Sequence, residues 1–156
     1  MPLLLLKIIM PGHSLALIQS DEKGGTIFAL SHPYQSGSTV SGVRKLAQNF
    51  VAELLTRRGS VRFDPLYGSR FPGELRGYNV LSVTELHGIL ARGIDDVKTN
   101  LRNRERMSDT PDEWLASADI VEIEQHLDSV VIHIRLMTVA GRTTLVQIPM
   151  NLYEYA

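Results

Sequence analysis

Apolar residues recur every three or four positions between residues 40 and 57, and this period predicts the first long helix of the chain. The polar residues of the segment fall on other faces. The apolar face comprises Val43, Leu46, Ala47, Phe50, Val51, Leu54 and Leu55. This stripe is wider than a helix covering a single sheet needs, so we expect part of it to contact another molecule.

A second helical period predicts a helix over residues 83–103. Ser82 and Glu85 stand three positions apart at its start, which is the spacing of a capping box. Gly88 and Gly93 interrupt this helix, and each weakens it by roughly 1 kcal/mol relative to alanine. We therefore expect another backbone to approach the helix closely at these glycines.

After residue 110 the pattern changes from a helical period to alternation. A short third helix is predicted over residues 111–116, with Trp114 filling the core, and strands are predicted over residues 120–124, 130–139 and 143–149. Alternating apolar and polar positions are typical of an antiparallel sheet with one covered face. The predicted fold class is α+β, an antiparallel C-terminal meander packed with two main amphipathic helices and a short third one.

The stretch between the two long helices, residues 54–75, is rich in aromatic residues, proline and glycine. Gly59 is placed to end the first helix in a left-handed conformation. Exposed loop tips are usually small and polar, so we expect the aromatic residues of this loop to be packed down. The large apolar residues concerned are Phe63, Leu66, Tyr67 and Phe71.

Arginine is concentrated in this stretch and directly after it. These side chains are Arg57, Arg58, Arg62, Arg70 and Arg76. Two interpretations remain open from the residues alone. The arginines form a basic patch for the acidic surface of a partner, or they pin the loop and complement the end of the first helix.

The N-terminal residues 1–38 differ in pattern from residues 39–156, and we interpret them as an extended arm with short strands preceding an α+β domain. Strands are predicted over residues 3–10, 15–18 and 26–30. The first of these is either a strand of the chain's own sheet or a strand lent to a neighbouring subunit by edge addition.

Length and charge limit the classes of function. The 156 residues suit one domain, and 16 basic against 17 acidic residues give no electrostatic footprint for nucleic acid or an anionic membrane. The apolar start is interrupted by Lys7 and is shorter than the ~20 residues of a membrane span. Without cysteine, disulfides and thiolate sites are excluded. We expect a protein made and kept in the cytoplasm, or assembled there into something larger.

Metal and cofactor sites are not predicted from the polar residues. No two of the five histidines stand four positions apart, which is the spacing of a helical zinc site. His126 and His133 fall on different strands or at a turn, so they make a poor ligand pair. Asp95 and Asp96 point to different sides of their helix and lack a third ligand in register.

A pair of carboxylates is the strongest candidate for catalysis. Glu122 and Glu124 share one face of a predicted strand, and glycosidases use two carboxylates about 5–10 Å apart. Acidic residues that alternate with valine and isoleucine are equally typical of a solvated strand face. We therefore predict that the chain is not an enzyme and uses no cofactor.

One set of residues resembles a known family. These are Leu54, Leu55, Thr56, Gly59, Arg62, Phe63, Pro65, Tyr67 and Gly68. Their pattern resembles the helix end and loop of the baseplate wedge family of contractile phage tails. That family was once labelled lysozyme-like, and it is related to baseplate components of type VI secretion systems. The resemblance extends from about Val40 to the end of the chain, but the Glu-Pro-Arg triplet of many members is absent from residues 103–119.

The resemblance implies a structural protein of the virion, assembled in the host cytoplasm. It implies helices that bundle with other baseplate wedge proteins, and strands offered to the tail sheath subunit to start sheath assembly. The residues expected to bind partners are Val43, Leu46, Phe50, Arg57, Arg58, Arg62, Phe63 and Tyr67. Two alternatives are a tail-associated glycan or peptidoglycan hydrolase and a stand-alone regulatory binding module of the same fold.

Overall fold

A computed structural model describes residues 14–15, 19–20, 26–27, 39–77, 82–105, 110–127 and 129–151. The helices of this part are α1 (Val43–Leu55), α2 (Phe71–Leu75) and α3 (Val83–Arg104), with a 3-10 helix at Pro111–Glu113. Four two-residue strands precede α1, namely β1 (Ser14–Leu15), β2 (Gln19–Ser20), β3 (Thr26–Ile27) and β4 (Thr39–Val40). The long strands are β5 (Leu115–Gln125), β6 (Ser129–Thr138) and β7 (Thr143–Asn151).

The long strands form the predicted antiparallel meander, and the sheet order is β2-β3-β7-β6-β5. β3 lies parallel to β7, with Thr26 opposite Val146 and Ile27 opposite Gln147. A segment of the N-terminal arm thus extends the sheet of the C-terminal half. The architecture is α+β with a meander, as the alternation of apolar residues predicted.

The core lies between one face of the sheet and the helices. On β6, the middle strand of the meander, every second residue is buried, and Ile132, Ile134 and Leu136 are completely enclosed. The helices α1 and α3 contribute Phe50 and Leu90, both 0% exposed, to the same cluster. Burial of such side chains stabilises the fold by about 1.5–3 kcal/mol each.

The first helix is shorter than predicted, and most of its apolar face is buried. Val40 belongs to β4, and Gly42 adopts φ 62 immediately before α1 begins. Leu46 and Phe50 are 2% and 0% exposed, because α1 is surrounded by α2, α3, β7 and the 3-10 helix. The expectation that α1 has spare apolar surface for another molecule is therefore wrong, since the wide stripe packs against several elements of its own chain.

The second long helix follows its prediction closely. Ser82 caps α3 by accepting a hydrogen bond from the Glu85 backbone N–H, and the Glu85 carboxylate accepts one from the Ser82 backbone. A Cβ added at Gly93 would lie 2.6 Å from the Phe71 Cβ, so α2 makes the close approach expected there. At Gly88 the nearest atom belongs to the Arg92 side chain at 3.7 Å, and no backbone lies close.

Two expectations are wrong: that the large apolar side chains of the loop are all packed down, and that the tryptophan fills the core. Phe71 is buried as expected, but Phe63 is 91% exposed and Leu66 is 68% exposed. Trp114 does not fill the core, because the predicted third helix is only a 3-10 turn and the chain enters β5 at Leu115. Trp114 is half-buried beside that turn.

Two further sequence expectations concern the arm and the membrane. The strand predicted over residues 3–10 lies outside the described residues. Of the predicted strand over residues 26–30, Thr26 and Ile27 are described and form β3. None of the helices in the described ranges has the length and apolar character needed to span a bilayer.

Candidate interaction site

The connection between α1 and α2, residues 56–70, forms a closed loop that we call the central loop. Its two ends are joined by backbone hydrogen bonds, from the Ser69 N–H to the Thr56 carbonyl at 2.9 Å and from the Arg58 N–H to the Ser69 carbonyl at 3.0 Å. Gly59 adopts φ 80, the left-handed conformation expected after the helix. Gly68 adopts φ 99, and a Cβ there would lie 2.5 Å from the Thr56 carbonyl oxygen. Glycine is thus required for this closure.

Ser69, in the neck of the loop where its two ends pair, is buried and hydrogen-bonded on both sides. The Ser69 residue is 0% exposed. Its hydroxyl donates to the Leu54 carbonyl at 2.6 Å and accepts from the Phe71 backbone N–H at 3.2 Å. The hydroxyl therefore satisfies one of the carbonyls left open at the end of α1 and one of the N–H groups at the start of α2.

Helix α3 holds one side of the loop through Asp96. Its carboxylate accepts hydrogen bonds from the Arg70 backbone N–H and Nε, both at 3.0 Å, and from the Arg70 Nη2 at 3.1 Å. The Arg58 guanidinium stands 3.6 Å away. Burial raises the pKa of Asp96, but the Arg70 hydrogen bonds and the Arg58 charge outweigh it, so the pKa lies below its ordinary value.

One turn further along α3, the Asn100 amide binds the loop backbone. Its Nδ2 donates to the carbonyls of Leu66 and Gly68, both at 3.0 Å. Asn100 is 7% exposed, so its amide replaces water at these carbonyls. The peptide units of the loop are thereby fixed against the helix.

A third contact comes from the last turn of α3. Arg104 Nη1 donates to both carboxylate oxygens of Glu53 at 2.8 Å, and Nη2 lies 3.3 Å from Asp64. The same guanidinium stands 4.9 Å from the Tyr67 ring centroid. Burial raises the pKa of Glu53 despite the charge of Arg104. Burial and the charge of Glu53 raise the pKa of Tyr67 to about 12.

The outer part of the central loop carries apolar side chains together with positive charge. Phe63 and Leu66 are 91% and 68% exposed. Arg57 and Arg62 are exposed, and the Arg62 guanidinium lies 5.7 Å from the Phe63 ring centroid. The loop is therefore bonded to α3 along its flank and has an apolar and basic outer surface.

The residues predicted to bind partners fall into two groups in the structure, one on the central loop and one on α1. Five of them lie together on the central loop, namely Arg57, Arg58, Arg62, Phe63 and Tyr67. Val43 is half-buried in the first turn of α1. Leu46 and Phe50 are core residues of this chain, which removes them from its surface.

The pinning interpretation of the arginine cluster is confirmed for two residues, and the basic-patch interpretation stays a prediction for the others. Arg58 and Arg70 pin the loop to Asp96, whereas Arg57 and Arg62 are exposed. Sequence reasoning missed the anchors on α3, which are Asp96, Asn100 and Arg104. Their spacing of four residues places them on one side of the helix, and this polar stripe beside the apolar face was the available signal.

The predicted carboxylate pair lies on the outer face of the sheet. Glu122 stands opposite His133, and Glu124 opposite Val131. A Glu124 oxygen is 3.1 Å from the His133 Nε2, and the other is 3.8 Å from the His126 Nε2. In the described ranges, no group of three or more histidine, aspartate or glutamate side chains is arranged to hold a metal ion.

Comparisons with known proteins leave the family open. No protein-family model matches the chain, and no curated protein matches it. The resemblance to the baseplate wedge family stays a prediction, and it is carried by residues of the central loop and its flanking helix.

Proposed function

We propose that this chain is a structural protein of the baseplate wedge of a contractile phage tail. It joins other wedge proteins through the central loop and offers a sheet edge to the tail sheath subunit. The observation that carries the proposal is Phe63, 91% exposed on a loop whose neck and flanks are held by buried hydrogen bonds. Exposed apolar groups on ordered loops are typical of protein contacts.

The rigidity of the loop favours binding. A loop that is ordered before contact loses little conformational entropy on association, and preorganised surfaces bind more tightly for this reason. Aromatic and arginine side chains such as Phe63 and Arg62 are also enriched at interfaces.

The edge strand β5 supports the second part of the proposal. It pairs with β6 on one side, and no other described strand pairs with its second edge. The register shifts at Leu115/Ser117 and Ile120/Glu122, and such bulges restrict pairing with a further strand. The regular parts that remain for strand addition are Ser117–Ile120 and Glu122–Gln125.

The helix-bundling part of the prediction requires a different surface from the one expected. Leu46 and Phe50 lie in the chain's own core and take no part in the proposal. Contact with wedge proteins is assigned to the central loop, where Arg57, Arg62 and Phe63 are exposed.

The test is reconstitution with the tail proteins encoded beside this chain. We expect Phe63→Ser to fold normally, by circular dichroism and thermal melting, and to be lost from the assembled complex. Val139→Ser is the matched control, since Val139 is 56% exposed outside the loop, and it should assemble normally.

Two outcomes would overturn the proposal. One is equal incorporation of the Phe63 variant and the native chain. The other is release of fragments from peptidoglycan by the purified protein, abolished by Glu122→Gln or Glu124→Gln, which would establish the hydrolase instead.

A further inference from the structure

We propose that the chain also binds a second copy of itself, the central loop of one copy docking on the β5 end of the next. The loop surface is formed by Arg57, Arg62, Phe63 and Leu66. The strand surface is formed by Val121, Glu122, Glu124 and Leu127. This inference rests on the proposed function in treating the central loop and the end of β5 as docking surfaces, and a loop or strand end that binds a second copy is not open to the wedge or sheath proteins at the same time.

The loop surface has uncompensated positive charge. Residues 57–70 include four arginines and one aspartate. Arg58 and Arg70 are matched by Asp96, and Asp64 is taken by Arg104. The exposed guanidinium groups of Arg57 and Arg62 have no acidic partner among the described side chains.

The strand surface has the opposite charge and a comparable apolar content. Val121 is 45% exposed and Leu127 is 98% exposed, at a strand bulge and at the β5–β6 turn. Glu122 is exposed and has no arginine or lysine partner among the described side chains. Each surface thus combines two exposed apolar residues with unmatched charge, and the charges are opposite. Such complementarity favours association of one surface with the other.

The two surfaces do not pair with each other within one copy. Among the described side chains, neither Arg57 nor Arg62 forms an ion pair with Glu122, and Glu124 lies beside two histidines instead. Helix α3 reaches the start of β5, where Arg102 donates a 3.3 Å hydrogen bond to the Ala116 carbonyl, and Glu122 lies six residues further on, about 20 Å along an extended strand. The contact we propose is therefore between copies. Pairing of loop with loop is disfavoured because it would bring like charges together.

Sedimentation velocity of the full chain over a range of concentrations tests the proposal. We expect concentration-dependent self-association that weakens as salt rises. Arg62→Glu and Glu122→Lys should each raise the dissociation constant at least about tenfold, because each places like charges opposite one another. Arg44→Glu and Asp95→Lys are controls that change exposed charges on α1 and α3, and they should associate like the native chain.

Mixing the two variants gives the decisive measurement. The native loop of the Glu122→Lys chain meets the native strand surface of the Arg62→Glu chain, so the mixture should associate more strongly than either variant does alone. If a charge variant fails to fold by circular dichroism, Phe63→Ser and Leu127→Ser replace it in the same experiment.

A native chain that stays monomeric at all concentrations would overturn the inference. Two further results would overturn it: equal dissociation constants for the native chain and both charge variants, or a mixture of the variants that associates no better than either variant alone. The proposed baseplate role would survive these results if Phe63→Ser still lost binding to the wedge proteins, in which case the loop docks on those proteins alone.

Discussion

Arg104, at the end of α3, donates two 2.8 Å hydrogen bonds to the carboxylate of Glu53, whose side chain is 1% exposed in α1. Such a pair is costly to break because the remaining charge is left buried without a partner. The same guanidinium contacts Tyr67 and Asp64 in the central loop. One arginine therefore ties α1, α3 and the central loop together.

Replacing this arginine should destabilise the fold strongly. For Arg104→Met we expect a loss of about 3–5 kcal/mol in the free energy of unfolding, since Glu53 then lies buried without its cation. Urea denaturation followed by circular dichroism measures this loss. Arg102→Met, in the same turn but exposed, should cost less than about 1 kcal/mol. Equal losses for the two variants would contradict the role assigned to Arg104.

Asp96 should make the free energy of unfolding depend on pH in the acidic range. Its pKa is lower in the folded chain than its ordinary value of 3.8, so the folded state binds the proton less tightly than the unfolded state. The contribution of Asp96 is therefore fully present above pH 3.8, and it is lost as the pH falls through the folded pKa.

Comparing the native chain with Asp96→Asn measures this contribution. Asparagine does not titrate, so the variant should be less stable at neutral pH and should lose less stability between neutral pH and pH 3. Urea denaturation at a series of pH values gives both curves. If the free energy of unfolding changes with pH in the same way for both proteins, Asp96 does not cause the loss of stability in acid.

The features predicted correctly from the sequence are those that depend on neighbouring residues. The capping box at Ser82 and the apolar period of α3 are both visible within a few positions, and so is the alternation along β6. The missed features depend on distant residues. Nothing local pairs Glu53 with Arg104, which lie 51 residues apart.

The central loop shows the same limit. Its aromatic content indicated a packed loop, yet composition does not say which aromatic residue is enclosed. Phe71 enters the core because α2 packs on α3 at Gly93, whereas Phe63 lies on the outer part of the loop. The helix α2 was missed because it has only five residues, two of them Pro72 and Gly73.

Gly68 and Gly59 provide a matched test of the loop closure. Both have positive φ, 99 and 80, but a Cβ at Gly59 meets nothing within 4 Å. For Gly59→Ala we expect only the cost of the left-handed conformation, about 1–2 kcal/mol. For Gly68→Ala we expect a loss at least about 2 kcal/mol larger, because the neck of the loop must open. Chemical denaturation measures the loss in the free energy of unfolding for each variant. Equal losses for the two variants would contradict this closure.

Gly93 and Gly88 lie on the same helix and should respond to alanine with opposite signs. At Gly88 a Cβ has room, 3.7 Å from the Arg92 side chain, so Gly88→Ala should stabilise the protein by about 0.5–1 kcal/mol through better helix propensity. At Gly93 a Cβ would lie 2.6 Å from the Phe71 Cβ and 3.2 Å from Leu54.

Gly93→Ala should therefore destabilise the protein by about 1–3 kcal/mol, since α2 must move away from α3. Thermal and urea denaturation of the two variants measure the difference. Because α2 leads directly out of the central loop, the Gly93 variant should also reduce incorporation into the reconstituted baseplate complex, while the Gly88 variant should not. Stabilisation by both substitutions would show that α2 and α3 are not in close contact in solution.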